Sequence, residues 1–184
     1  MKKFLFGVII GLLIIPVGVY FYFSSGRAPV ATAAPPMPFE TTLAHMALHA
    51  RLDKEMAKSV PIAADEAAYT AGAQVYKEHC AVCHGVPGQS QTAIAAGMFP
   101  KPPKLMEGKG VTDDPPAETY WKVDGGIRMT GMPGFEKALS ITQMWQVSLL
   151  CANADKLPQA AKDILRGNPP DPAPATPTPP TPKK

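Results

Sequence analysis

The stretch Cys80-Ala81-Val82-Cys83-His84 decides the fold of this chain. Two cysteines three positions apart on a helical turn bring both sulfurs close together, and the next residue is a histidine. This spacing is the attachment signature of a c-type haem, in which both sulfurs form thioethers and the histidine binds the iron. A thioredoxin-like redox pair would need a βαβ context, which the chain lacks. A zinc site would need two further Cys or His ligands at suitable spacing, and none occurs nearby.

The charge distribution argues against a nucleic-acid partner. The formal net charge is +3, but residues 60–166 contain ten Lys or Arg against eleven Asp or Glu. The excess positive charge therefore lies at the two ends of the chain, and the globular part is close to neutral. The third cysteine, Cys151, cannot build a disulfide framework and is predicted to be a small buried hydrophobe.

The N-terminal stretch predicts a membrane anchor. Residues 4–23 carry no charge, and a helix of that length spans about 30 Å, the thickness of a hydrocarbon core. Lys2 and Lys3 precede it, so residues 1–23 are predicted to cross the membrane with a cytoplasmic N-terminus. Ala31-Thr32-Ala33 resembles a signal-peptide cleavage site, but an apolar region of about 7–15 residues would be usual there, which favours a retained anchor. Both alternatives place the rest of the chain in the periplasm or another extracytoplasmic space.

Composition divides the remainder of the chain into four parts. Residues 24–38 are rich in Pro and Ala and predict a linker, and residues 167–184 predict a disordered Pro-rich tail. Residues 39–60 are predicted to form an amphipathic helix, because apolar residues recur at helical spacing, namely Leu43, Met46, Ala47 and Ala50. Residues 61–166 are predicted to be the haem domain.

Two helices of this domain are predicted to cross. Asp65 is a plausible N-cap for a helix through about His79, and Gly72 in its middle indicates close approach of another helix. Ser140-Ile141-Thr142-Gln143 has the pattern of a capping box and starts a second helix through about Ala154. An aromatic residue of the second helix, Trp145, is expected beside the glycine. The inward stripe of the second helix is predicted to be Ile141, Met144, Trp145, Ser148 and Leu149.

These features resemble class I cytochromes c, in which a helix ending in Cys-x-x-Cys-His crosses a C-terminal helix. The resemblance covers about residues 64–157 and is closest to the bacterial membrane-anchored, single-haem branch. It implies an all-α fold around one covalently bound haem c, preceded by a single N-terminal transmembrane helix. It also implies that Cys80 and Cys83 hold the haem and that His84 is the proximal ligand.

The resemblance further implies that a methionine is the distal iron ligand. The downstream candidates are Met98, Met106, Met129, Met132 and Met144. Met132 is favoured because it lies in the loop Gly131-Met132-Pro133-Gly134-Phe135, which resembles the family's ligand loop. A short helix is predicted before this loop, capped by Asp114, with Pro115 at its first position and Gly125-Gly126 at its end.

The other methionines have alternative roles. Met129 lies on the same loop and is the second choice, with covering of the haem edge as its other role. Met144 lies on the C-terminal helix and is expected in the core, while Met98 and Met106 are expected on the histidine side. In the family, a proline carbonyl accepts a hydrogen bond from the ligand histidine, and the sequence leaves open which proline of residues 100–103 does so.

The function that follows is single-electron transfer between respiratory or dehydrogenase partners at the membrane. Two alternatives belong to other classes. The chain could be a fixed haem subunit of a larger membrane electron-transfer complex, or a haem enzyme or sensor with an open sixth site. The sequence identifies neither the electron donor nor the acceptor.

Overall fold

In the computed structural model, the structure describes residues 2–107 and 114–167. Every regular element in these residues is helical, so the predicted all-α class is confirmed. The predicted disorder of the tail concerns residues outside this range, apart from Gly167. The helices are α1 (Lys2–Ser24), α2 (Glu40–Glu55), α3 (Glu66–Val75), a π-helical turn (Tyr76–Cys80), α4 (Ala81–His84), α5 (Ala93–Ala96), α6 (Pro116–Gly125), α7 (Ile141–Ala152) and α8 (Gln159–Arg166).

The chain divides into two compact units, one ending at Ala50 and one beginning at Arg51. The first unit contains α1, whose 22 residues from Lys3 to Ser24 are long and apolar enough to cross a membrane. None of this helix is buried inside the chain, which fits a membrane anchor or a signal sequence. Between α1 and α2 the backbone forms turns without a helix or strand.

Helix α2 is shorter than the predicted helical segment, because it ends at Glu55. Leu43 and Met46 of the expected apolar stripe are 56% and 62% exposed, so the first unit does not bury them. The last turn of α2 belongs to the second unit, where Leu52 is buried. Glu55 accepts a hydrogen bond from the Trp121 indole at 3.2 Å, which ties this turn to α6.

The core of the second unit lies where α3 and α6 pack on α7 and where α8 packs on α3. Side chains from all four helices contribute to it, including Ala73, Val75, Tyr76, Val123, Met144, Val147, Leu150, Ala161 and Leu165. Apolar burial of this extent is the main driving force that holds the helices together. Cys151 is also buried in this core, as predicted.

The crossing of α3 and α7 is confirmed at Gly72, although its partner differs from the prediction. A Cβ on Gly72 would overlap the backbone carbonyl of Gln146, so only glycine allows this approach. Trp145 points elsewhere and stacks on Tyr120, with ring centroids 4.2 Å apart. One further correction concerns Ile141, which is 65% exposed because the first turn of α7 extends beyond the core.

The ends of the helices follow local sequence signals with one exception. The Asp65 carboxylate accepts a hydrogen bond from the Ala68 N–H, and Ser140 and Gln143 form the predicted capping box. Asp114 does not cap α6, which begins at Pro116 after Pro115 without a side-chain cap. The Asp114 carboxylate instead pairs with the ammonium group of Lys122 on α6, at 3.3 Å.

Candidate haem site

The Cys-x-x-Cys-His motif lies where the first core helix changes its winding. Helix α3 passes into a π-helical turn that ends at Cys80, and α4 then carries Cys83 and His84. Wider turns of this kind occur often at functional sites, since they shift the direction of the side chains that follow. Both sulfurs are free thiols that are partly exposed. Burial, with a smaller effect of Cys83, raises the pKa of the Cys80 thiol to about 12.

One imidazole nitrogen of His84 is occupied by a hydrogen bond to the main chain. Its Nδ1 lies 2.8 Å from the carbonyl oxygen of Pro103. A carbonyl can only accept, so Nδ1 carries the proton and Nε2 keeps its lone pair. Burial lowers the pKa of His84, and the bond to Pro103 opposes that shift. The imidazole is therefore oriented with Nε2 left available, as a metal-ligating histidine requires.

The segments around His84 are held by two further side chains. The Tyr76 hydroxyl donates to the carbonyl oxygen of Gly85 at 2.7 Å, which fixes the residue directly after the histidine. Glu107 accepts hydrogen bonds from the Gly88 N–H and from Lys104, each at 3.0 Å. These bonds lower the pKa of the Glu107 carboxyl, those from Lys104 and Gly88 in that order. Together they join the loop after the motif to the proline-rich segment that supports His84.

The Met132 loop is closed by main-chain contacts with the end of α6. The Phe135 N–H donates to Val123 O at 2.9 Å. Gly126 has φ +68, and a Cβ on it would lie 2.5 Å from the amide nitrogen of Gly134. Both glycines are therefore needed for the backbones to approach so closely.

The structure distinguishes the candidate methionines by burial. Met132 packs, partly buried, against the same apolar core as Cys80, whereas Met129 is 92% exposed. Met144 is 2% exposed and lies in the core, as predicted, and Met106 is buried there as well. The ligand role of Met132 stays a prediction, and its position is the one that the sequence favoured.

Met98 lies against the loop that carries Met132. A Cβ on Gly131 would overlap the terminal methyl of Met98 and lie 3.5 Å from its sulfur. The Met98 side chain therefore packs against the Met132 loop, and its expected place on the histidine side stays a prediction. Local sequence patterns contain no signal for this contact, because the two residues are far apart in the chain.

The donor set fits a covalently bound haem c better than a metal ion. The thiols of Cys80 and Cys83 precede His84, whose imidazole has one nitrogen available. Met132 packs against the same apolar core as Cys80. Among residues 2–107 and 114–167, no group of three or more His, Cys, Asp or Glu is placed to hold a metal ion. The zinc alternative for the motif thus gains no support from this part of the chain.

Comparison with known proteins identifies the domain. Residues 67–149 match the protein family described as cytochrome C oxidase, cbb3-type, subunit III. This part of the chain is a c-type cytochrome domain. The resemblance to class I cytochromes c is therefore confirmed. A c-type cytochrome domain implies covalently bound haem c and points to electron transfer.

A solved structure is also similar, over part of the chain. It is the reducing HAO-like protein complex of Kuenenia stuttgartiensis, with 27% sequence identity and a TM-score of 0.45. The similarity covers 52% of this chain and 47% of that chain, so this chain matches about half of the other's length. No curated protein matches the chain.

Sequence reasoning about the cytochrome domain missed some side chains that shape the site. The hydrogen bond from the Tyr76 hydroxyl to Gly85 O is one contact that local sequence patterns do not indicate. Thr92 caps α5 and also donates to Val82 O at 2.6 Å, which joins α5 to the motif. Thr130 bonds to both sides of the Met132 loop. A hydroxyl residue two positions before the favoured methionine was an available signal, because Ser and Thr often close turns in this way.

Proposed function

We propose that this chain is a membrane-anchored, single-haem c-type cytochrome that transfers single electrons between protein partners on the outer side of the membrane. The hydrogen bond from His84 Nδ1 to Pro103 O carries this proposal. It leaves Nε2 available as a nitrogen ligand on the residue that follows Cys83. Such a support is what a histidine bound to iron needs, whereas a surface histidine would not require it.

The proposed ligands divide the work between attachment and coordination. Cys80 and Cys83 would hold the haem through thioethers, His84 would bind the iron as proximal ligand, and Met132 would bind it as distal ligand. The bound haem supplies a one-electron change between ferric and ferrous iron. A thioether ligand favours the ferrous state and raises the potential. The sequence contains one Cys-x-x-Cys-His, which supports a single haem.

The N-terminal helix supports the membrane location. Helix α1 has the length and the uncharged surface of a spanning segment, and two lysines precede its apolar part. The positive-inside rule then leaves the cytochrome domain outside the cytoplasm. A tether of this kind would keep the haem at a high effective concentration near membrane-bound donors and acceptors.

A second candidate is a fixed haem subunit of a larger membrane electron-transfer complex. The description of the matching family, a subunit of a cytochrome oxidase, favours it. The chemistry is the same in both cases, and the setting differs. Purification of the full chain from membranes in mild detergent separates them, because a fixed subunit brings stoichiometric partners with it and a free carrier does not.

The test of the proposed ligation is an absorption spectrum of the purified full chain in oxidised and reduced form. A thioether bound to ferric haem gives a weak long-wavelength charge-transfer band. We expect this band in the wild type and in the matched control Met129→Ala, and we expect its loss in Met132→Ala. Survival of the band in Met132→Ala would disprove the distal ligand. A wild type without the band that binds carbon monoxide readily would instead indicate a haem enzyme or sensor with an open sixth site.

A further inference from the structure

The backbone of Met132 is held on both sides by a closed set of hydrogen bonds. Its carbonyl oxygen accepts from the Ile127 N–H at 3.2 Å. Its own N–H donates to the Thr130 hydroxyl at 3.1 Å. That hydroxyl in turn donates to the carbonyl oxygen of Ile127 at 2.7 Å. The Thr130 side chain therefore links the Met132 amide to the carbonyl oxygen of Ile127, just after the end of α6.

The same loop contains a conformation that needs such support. Met129 has φ +60, a left-handed conformation that is unfavourable for a residue with a Cβ. Its side chain is 92% exposed and can contribute little packing energy to offset this. Strained backbone of this kind persists when the surrounding contacts determine it. Thr130, the next residue in the chain, supplies such contacts through its hydroxyl.

Packing restrains the loop where hydrogen bonds do not. The Met98 side chain lies directly against Gly131, so a side chain at position 131 would force the Met98 methyl to move. Gly131 thus sits between Met98 and the bonded turn formed by Ile127 and Thr130. Thr130 contributes its backbone N–H, which donates to Ile127 O at 3.2 Å, and its side-chain hydroxyl. A substitution that removes only the hydroxyl therefore tests the side chain separately from the main chain.

We propose that Thr130 is a positioning residue for Met132. Its hydroxyl adds two bonds to the main-chain bonds that close the loop, so that the thioether stays available at the sixth position of the iron instead of yielding it to ligands from solution. This inference rests on the proposed ligation by Met132. It assigns no contact between Thr130 and the haem.

The test compares Thr130→Val, which keeps the shape and removes the hydroxyl, with Thr130→Ser, which retains it. Imidazole is titrated into the ferric full chain, because it can bind only when the Met132 loop opens. We expect Thr130→Val to bind imidazole about 5- to 30-fold more tightly, since two hydrogen bonds that stabilise the closed loop are lost. Thr130→Ser should stay close to the wild type. The matched control is Thr70→Val, which removes a similar bond, from Thr70 to Glu66 O on α3, away from the loop.

The outcomes separate this inference from the proposed function. The positioning role is overturned if Thr130→Val binds imidazole within about twofold of the wild type while Met132→Ala loses the charge-transfer band. The proposed ligation then stays intact. An equal increase in Thr130→Ser and Thr130→Val also overturns it, because the hydroxyl would not be the cause. Absence of the band in the wild type overturns both proposals. If Thr130→Val does not fold, Thr130→Ala against Thr130→Ser provides the same comparison.

Discussion

Replacing Gly72 with alanine is expected to lower the free energy of unfolding of the cytochrome domain by about 2 kcal/mol. The new Cβ would overlap the carbonyl oxygen of Gln146 and lie 2.8 Å from its carbonyl carbon. Both atoms belong to the backbone of α7 and cannot rotate away, so α3 and α7 would have to separate. Overpacking costs about 1–3 kcal/mol, and backbone partners place this site at the upper end. The higher helix propensity of alanine returns about 1 kcal/mol.

Guanidinium unfolding of the full chain, followed by tryptophan fluorescence, measures this loss, since the two tryptophans, Trp121 and Trp145, both lie in the domain. With a denaturant slope of about 4 kcal/mol/M, the midpoint should fall by about 0.5 M. Gly125→Ala is the matched control, because a Cβ at Gly125 would meet nothing within 4 Å. An unchanged or higher midpoint for Gly72→Ala, or equal losses for both variants, would refute the close crossing of the two helices.

Two other predictions concern buried groups near the motif. Tyr76→Phe removes the bond to Gly85 O from a fully buried side chain. The substitution should therefore lower the free energy of unfolding by about 1–1.5 kcal/mol in the same assay. The control Tyr69→Phe should change it little. Equal losses in both variants would argue against the bond. The Cys151 thiol is 2% exposed and its pKa is raised by burial, so a maleimide should label it slowly in the native protein and rapidly after denaturation. Rapid labelling of the native protein would show that the core around Cys151 is open.

Much of this domain could be predicted because its signals are local. Three features can be recognised from a few neighbouring residues, namely the Asp65 cap, the capping box at Ser140 and the glycine at position 72. The motif at Cys80–His84 fixes donor spacing in the same local way. These features place the two crossing helices and the attachment site without knowledge of the remaining packing.

The features that the sequence did not reveal depend on distant contacts. Local patterns do not distinguish Pro100, Pro102 and Pro103, and only folding shows that the Pro103 carbonyl meets His84. Helix α8 was not predicted, because its eight residues offer too short a pattern and its start at Pro158 lacks a side-chain cap. The contact between Met98 and Gly131 joins two loops that local periodicity cannot relate.

The two proposed iron ligands share one physical device, which is anchorage to the main chain. His84 is oriented by a backbone carbonyl, and Met132 has its own N–H and carbonyl oxygen bonded within its loop. These bonds fix the backbone or the ring of each proposed ligand within its own loop, which limits the geometries that the ligand can adopt. A site that passes electrons without exchanging ligands benefits from this rigidity, because the same geometry must serve both oxidation states. The arrangement therefore favours electron transfer over chemistry at an open iron.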